Sequence, residues 1–164
     1  MIILEGCDCT GKTALADKLS AVYNAPITHY SKHDEDVMME HAKRCEPGTD
    51  EIVDRFHMSE IPYSRYYRRT VPEYKSVFDI DFVLRGRKCL QIVCVPPWIN
   101  VKTYWEDRRD DELIQSLDTL HDIYMWYKDK AKAFSSFQVW QYDYIITSFD
   151  DLCVEINTWS KLND

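Results

Sequence analysis

Met1-Ile2-Ile3-Leu4-Glu5-Gly6-Cys7-Asp8-Cys9-Thr10-Gly11-Lys12-Thr13 opens the chain, and its last eight residues spell G-x-x-x-x-G-K-[ST]. Each fixed position of that motif has a task in holding a nucleoside triphosphate such as ATP. Gly6 and Gly11 let the backbone turn so that the N–H groups of the loop, through Cys7, Asp8, Cys9 and Thr10, face phosphate oxygens. Lys12 has the reach for the β- and γ-phosphates, and the Thr13 hydroxyl suits Mg2+. The flanks agree with the motif. Met1 to Leu4 is an apolar run of the kind found in buried parallel strands. Leu15, Leu19 and Val22 then recur at helical spacing, with Val22 expected on the buried face. The order is strand, loop, helix, and the helix N-terminus adds its unpaired N–H groups and dipole to anion binding.

The rest of the chain alternates in the same way. Ile27-Thr28-His29-Tyr30 reads as a second strand, and Asp36 to Cys45 as a helix stopped by Glu46-Pro47-Gly48. Glu51-Ile52-Val53 is a short strand running into Asp54-Arg55. Ser59 to Arg69 and Pro72 to Leu84 read as helices, and Leu90 to Val95 as a buried strand closed by Pro96-Pro97. A long helix carries Leu113, Leu117, Leu120, Tyr124, Tyr127 and Ala131 on one face. Phe137 to Trp140 forms the last strand. Ser148, with Asp151 three residues on, caps a final helix whose inner face is Leu152, Ile156 and Trp159. The expectation is one three-layer α/β/α domain of the P-loop NTPase class with a mainly parallel sheet, spanning residues 1–164.

Bulk composition narrows the function. At 164 residues and 45% hydrophobic, the chain is large enough for one core. A formal net charge of −8 argues against nonspecific nucleic-acid binding, which needs a basic surface, but leaves room for a locally cationic nucleotide cleft. No apolar run reaches membrane-span length and no leader precedes the first strand, so a cytoplasmic protein is expected. The six cysteines, Cys7, Cys9, Cys45, Cys89, Cys94 and Cys153, are expected as free thiols in a reducing compartment. Cys7 and Cys9, beside Lys12 and a helix N-terminus, are expected to have lowered pKa values and to be sensitive to oxidants.

Asp54-Arg55 is the second chemical constellation. Ligands of open parallel sheets bind outside the carboxyl ends of strands, where the loop at Gly6 also lies. A carboxylate there can order Mg2+ or accept a proton, and an arginine there can clamp a phosphate through two parallel hydrogen bonds. At these residues the chain resembles the thymidylate kinase family of nucleoside monophosphate kinases. The family's loop has the form E-G-x-D-x-x-G-K-[ST], here Glu5 to Thr13. Its second signature, D-R-[YF]-x-x-S-x-x-x-Y, stands here as Asp54-Arg55-Phe56-His57-Met58-Ser59-Glu60-Ile61-Pro62-Tyr63. Val95-Pro96-Pro97 resembles the element before the family's lid. The similarity runs from residue 1 to about 150, and the form D-R-F-H-x-S-E is similar to compact versions carried by bacteriophages.

The resemblance implies ATP and Mg2+ as donor and cofactor, and dTMP or a related pyrimidine deoxynucleotide as acceptor. Asp8 would bond the 3′-hydroxyl of the deoxyribose. Arg55 would hold the acceptor phosphate, while Asp54, with Thr13, would organise Mg2+ and Lys12. Ser59 and Tyr63, one helical turn apart, would line the acceptor site, with Tyr63 crowding the 2′ position. Some family members carry a catalytic arginine in the loop where this chain has Cys9. Others supply it from the lid, here around residues 100–112, which makes Arg108 and Arg109 the candidates. A homodimer is the family's usual assembly. The segment before Asp54 departs from the family pattern, and Arg44 stands where a base-reading arginine would come. Tyr142 and Tyr144 follow the last strand, where such kinases hold the donor adenine, and are expected to pack rather than stack.

Two other functions fit part of the pattern. A deoxynucleoside kinase, or a kinase of a modified deoxyuridine, needs a general base near the 5′-hydroxyl. Such enzymes place a glutamate after the second strand, where this chain has His29, Tyr30 and Lys32. A non-catalytic nucleotide-binding module would need the loop but neither Asp54-Arg55 nor the lid arginines.

Overall fold

A computed structural model describes residues 1–29, 41, 51–67, 74–108, 114–129, 131–134 and 138–162. Its strands are β1 (Ile2–Glu5), β2 (Ile27–His29), β3 (Ile52–Asp54), β4 (Leu90–Cys94) and β5 (Val139–Tyr142). Its helices are α1 (Lys12–Tyr23), α2 (Glu60–Tyr67), α3 (Tyr74–Arg85), α4 (Trp98–Arg108), α5 (Leu117–Asp129), α6 (Ala131–Phe134) and α7 (Phe149–Leu162), and a short 3-10 turn, His57–Ser59, leads into α2. The five strands are ordered β2-β3-β1-β4-β5, and every pairing is parallel. β1 therefore lies between β3 and β4, with Leu4 beside Asp54 on one side and Glu5 beside Val93 on the other.

Side chains alternate across the sheet and build two cores. Leu4, Ile52, Leu90 and Ile92 face a cluster that includes Leu15 and Leu19 of α1 and Leu152 and Ile156 of α7. Ile3 and Val53 face Ile80 and Leu84 of α3, and Val93 faces a cluster built from α2, α4 and α5. Helices on both faces give the expected three layers. The strands are short and β-rich, and three of them are wholly or nearly wholly apolar, as burial on both faces requires.

Some local expectations change. β1 runs on through Glu5, which is fully buried. Val22 is 54% exposed, and its expected place is taken by Tyr23, whose ring packs beside Leu19. Tyr23 spaces four residues from Leu19, and its hydroxyl reaches Asn157 at 3.2 Å, so the polar tip finds a partner in α7. The long helix ends at Asp129, with the separate turn α6 after it, and buries Ile123 and Trp126 besides the expected Leu120, Tyr124 and Tyr127. The last strand starts at Val139 rather than Phe137. Of the expected helix between Asp36 and Cys45 only His41 is described, and it is helical and buried; the breaker at Glu46-Pro47-Gly48, and Tyr30, Lys32, Arg44, Arg109 and Leu113 lie outside the described residues. No helix among the described residues is long and apolar enough to cross a membrane.

The cap of α7 forms as expected. The Asp151 amide donates to Ser148 Oγ at 3.1 Å, and that hydroxyl donates to Asp151 Oδ2 at 2.7 Å. Ser148→Ala leaves these groups to water, and we expect a loss of about 1 kcal/mol in urea unfolding. An unchanged unfolding midpoint would show that the cap contributes nothing.

Candidate active site

The loop from β1 to α1 is shaped by three positive φ angles: Gly6 at 141°, Cys9 at 63° and Gly11 at 80°. Gly6 has a second reason to be glycine, because a Cβ there would lie 2.7 Å from the Cys94 carbonyl of β4. The Cys7 carbonyl collects the Thr10 hydroxyl at 2.8 Å and the Lys12 ammonium at 2.6 Å, which folds the loop over the start of α1. No acidic residue occupies the first turn of α1 and no side chain caps it, so its N–H groups and dipole are left for an anion. A Cβ at Gly11 would lie 3.5 Å from the Tyr144 ring. Tyr142 ends β5, rather than following the last strand, and is buried in the core, and Tyr144 after it packs against the same cluster.

Two polar groupings flank this loop. In the first, the Thr13 hydroxyl donates to Asp54 Oδ2 at 3.2 Å, and His29 Nδ1 lies 3.2 Å from the same oxygen. Asp54 is almost fully buried, and its Oδ1 has no hydrogen-bond partner among the described residues. Two hard oxygens side by side, one of them a buried carboxylate oxygen without a partner, fit a Mg2+ ion that takes its remaining ligands from phosphates and water. In the second grouping, the Arg55 guanidinium pairs with Asp8 Oδ1 and lies over the Tyr63 ring, its carbon 4.5 Å from the centroid. The Tyr63 hydroxyl donates to the same Asp8 oxygen at 3.4 Å. Arg55 Nη1 and Asp8 Oδ2 are buried without partners among the described residues, one a donor and the other an acceptor. Burial works against the Arg55 charge, but Tyr63 and Asp8 outweigh it, so the guanidinium stays protonated.

Behind the second grouping lies a residue that the sequence reading did not use. Glu5, at the end of β1, accepts from the Phe56 amide at 3.0 Å, the Ser59 hydroxyl at 2.5 Å and the Tyr127 hydroxyl at 3.0 Å. Ser59 therefore faces Glu5 and Tyr127 at the back of the site. Tyr63, one turn further on, faces Asp8. The signal for Glu5 was present in sequence, since a carboxylate ending an otherwise apolar strand has to be paired or protonated. Burial pushes its pKa up from 4.5 to about 7, against the pull of Ser59, Tyr127, the Phe56 amide and Arg55. Arg55 itself has φ 69°, a left-handed conformation that costs about 1–2 kcal/mol for a residue with a Cβ.

The cysteine expectation is corrected for Cys7. It is fully buried, and desolvation drives its thiol pKa up, with Lys12 offsetting only part of the rise. The thiolate needed for oxidation is therefore suppressed there. Cys7, Cys9, Cys89, Cys94 and Cys153 are free thiols, as expected, and Cys45 lies outside the described residues. Arg108 ends α4, exposed, at i+3 and i+7 from the buried Trp105 and Val101.

No family model matches the chain, and no curated protein matches it. Solved structures do. The YorR protein of Bacillus subtilis, determined in complex with phosphorylated GDP, superposes with TM-score 0.78 at 20% identity, over 99% of this chain and 96% of that one. The chain shares that protein's fold, a parallel sheet between layers of helices with the phosphate-binding loop after its first strand. Deoxyadenosine kinase from M. mycoides superposes with TM-score 0.59 at 15% identity in its dCTP complex, over 98% of this chain and all of that one. With the products dCMP and a flexible dCDP bound, it superposes with TM-score 0.63 at 13% identity, over 98% of each chain.

The buried carboxyl of Glu5 has a consequence for stability. The folded state holds its proton more tightly than the unfolded chain does, so its contribution is full below pH 4.5 and is lost as pH rises through about 7. Glu5→Gln removes this titration. We expect the stability of the natural protein, relative to the variant, to fall across that window in urea unfolding. Parallel stability curves from acid to neutral pH would contradict it.

Proposed function

We propose that the protein is an ATP-dependent nucleotide kinase that moves the γ-phosphoryl group of ATP to a deoxynucleoside monophosphate, dTMP or a related pyrimidine. The observation that carries this reading is the half-buried Arg55, held by Asp8 over Tyr63 with one buried guanidinium nitrogen still unpartnered, beside a complete triphosphate loop. A half-buried arginine with a spare donor is suited to a second anion, and a monophosphate supplies one. Asp8 Oδ2 offers the acceptor that a sugar hydroxyl would need. Nucleotides bound to YorR and to deoxyadenosine kinase, which share the fold, are consistent with this use of the site.

In this reading the loop amides and the α1 N-terminus bind the ATP phosphates, and Lys12 leaves the Cys7 carbonyl to neutralise charge on the β- and γ-phosphates. Thr13 and Asp54 would hold Mg2+, which supplies further neutralisation when bound. Arg55 orients the acceptor phosphate. An ionised phosphate oxygen needs no base to attack phosphorus, so positioning and electrostatics are the chain's whole contribution. Cys9 stands at the loop position where an arginine could act, so Arg108 and Arg109 of the lid provide the closing cations.

A hydroxyl acceptor is the second reading, and one contact favours it. His29 ends β2 with its Nδ1 against Asp54, an arrangement in which a carboxylate orients an imidazole. The ring is half exposed and could receive the proton of a 5′-hydroxyl.

Incubation with ATP, Mg2+ and a panel of nucleosides and nucleoside monophosphates, with products resolved, separates the readings. We expect diphosphates from pyrimidine deoxynucleotides. Monophosphates formed from nucleosides alone would transfer the assignment to the second reading, and no product at all would leave a binding module. Arg55→Ala is expected to lower kcat/KM for the acceptor on the order of 100-fold or more, because it leaves Asp8 buried without its partner. Arg108→Ala or Arg109→Ala is expected to lower kcat far more than KM, by up to about 10³–10⁵ where one arginine dominates. Near-normal turnover in both single variants and in the double would remove the lid from the mechanism.

A further inference from the structure

The Arg55 side chain meets Asp8 and Tyr63 from a left-handed backbone. Two consecutive amides bracket that residue, and both are tied to β1. The Arg55 amide donates to the Leu4 carbonyl at 2.9 Å, continuing the parallel ladder by one step. The next amide, that of Phe56, has no strand carbonyl to meet and donates instead to the Glu5 carboxylate at 3.0 Å. A side chain thus replaces the main-chain acceptor at the point where the chain leaves the sheet. With both flanking amides fixed, the peptide planes on either side of the Arg55 Cα are fixed as well.

Glu5 is in turn held from two other directions. Its second oxygen receives the Ser59 hydroxyl from the turn before α2 and the Tyr127 hydroxyl from α5, and these two hydroxyls lie 2.9 Å apart. Stability alone does not explain such a group. Apolar residues of similar volume are often as stabilising as a buried charged network, or more so. We propose that Glu5 is a positioning residue for the acceptor site, fixing the left-handed Arg55 turn and tying its placement to α2 and α5 through Ser59 and Tyr127. The inference rests on the kinase reading for its effect on turnover. Its structural content, that Glu5 sets the environment of the Arg55 guanidinium, does not.

The test uses Glu5→Gln, which keeps volume and replaces one acceptor oxygen with a donor, and Tyr127→Phe, which removes one donor and leaves the other two. Two readouts are needed. The first is the KM for the acceptor against the KM for ATP. The second is the Arg55 Nε–H resonance in a 15N–1H spectrum, assigned by its loss in Arg55→Lys. A hydrogen bond to a charged group is worth roughly tenfold. We expect Glu5→Gln to raise the acceptor KM by about that factor, with the KM for ATP nearly unchanged, and to shift or broaden the Arg55 signal. Tyr127→Phe should move both in the same direction by less. An unchanged acceptor KM with an unmoved Arg55 signal would overturn the proposal. So would equal losses for both substrates accompanied by a lower melting temperature, since that is the signature of a merely structural residue. If the natural protein phosphorylates no acceptor, the kinase reading fails by itself and the Arg55 signal alone decides the role of Glu5.

Discussion

The site depends on the confinement of β1. Parallel partners on both sides bring the carboxyl ends of β3 and β4 level with the point where β1 ends, so the loop that follows has neighbours at once. Gly6 turns so close to the Cys94 carbonyl that no side chain fits. On the other side Asp54 is delivered beside Thr13, although 41 residues separate them in sequence. A parallel sheet makes this convergence possible because its strands all end on one edge, and connections of different length can deliver chemistry to the same place.

The second consequence is that charge is concentrated where burial makes it costly. Lys12, Asp8, Asp54 and Glu5 are all buried, and Arg55 lies among them. Each ion pair there meets a desolvation penalty that its partner offsets only with good geometry. Arg55 adds a strained backbone to that cost. A chain selected for stability alone would fill this edge with apolar residues, as Ile2, Ile52 and Leu90 do at the opposite ends of the same strands. The arrangement is understandable as preorganisation: cations and carboxylate oxygens already aimed, and already stripped of water, need no rearrangement when a phosphate arrives.

How much of this was legible in the sequence follows from where each signal resides. The loop and its flanking strand and helix were legible because their spacing is local. Asp54-Arg55 was legible because a charged pair ending an apolar strand in an α/β pattern has a known place. The three-layer sheet followed from alternation. What failed was burial, which is decided by distant elements. Val22 and Tyr23 are adjacent, and only the approach of α7 selects the tyrosine for the inner face. Cys7 lies beside Lys12 and a helix start, which favours a thiolate, yet the cluster containing Val101 and Trp105 closes over it and desolvation wins. Ser59 and Tyr63 share a helical spacing, but the bend at His57–Ser59 turns the serine toward Glu5. Tyr127 completes that network across 122 residues, a separation that periodicity cannot reveal.

The net charge of −8 looks at odds with the proposed binding of ATP and a nucleoside monophosphate, and local electrostatics resolve it. Acidic residues occupy exposed turns such as the start of α7, where Asp150 and Asp151 meet the positive end of the helix dipole and stabilise it. The start of α1 has none, so the same dipole there remains available to a ligand. At exposed positions separated by more than about 8–10 Å, charges are screened by salt, whereas Lys12 and Arg55 act from within a low-dielectric edge where screening is weak. The field that a phosphate meets inside the site is therefore set by a few fixed cations and oriented amides rather than by the sum over the surface. In the proposed reading an acidic exterior would work for selectivity, because it repels long polyanions such as nucleic acids while a single nucleotide, small enough to enter, would meet Lys12, Arg55 and the amides at the start of α1.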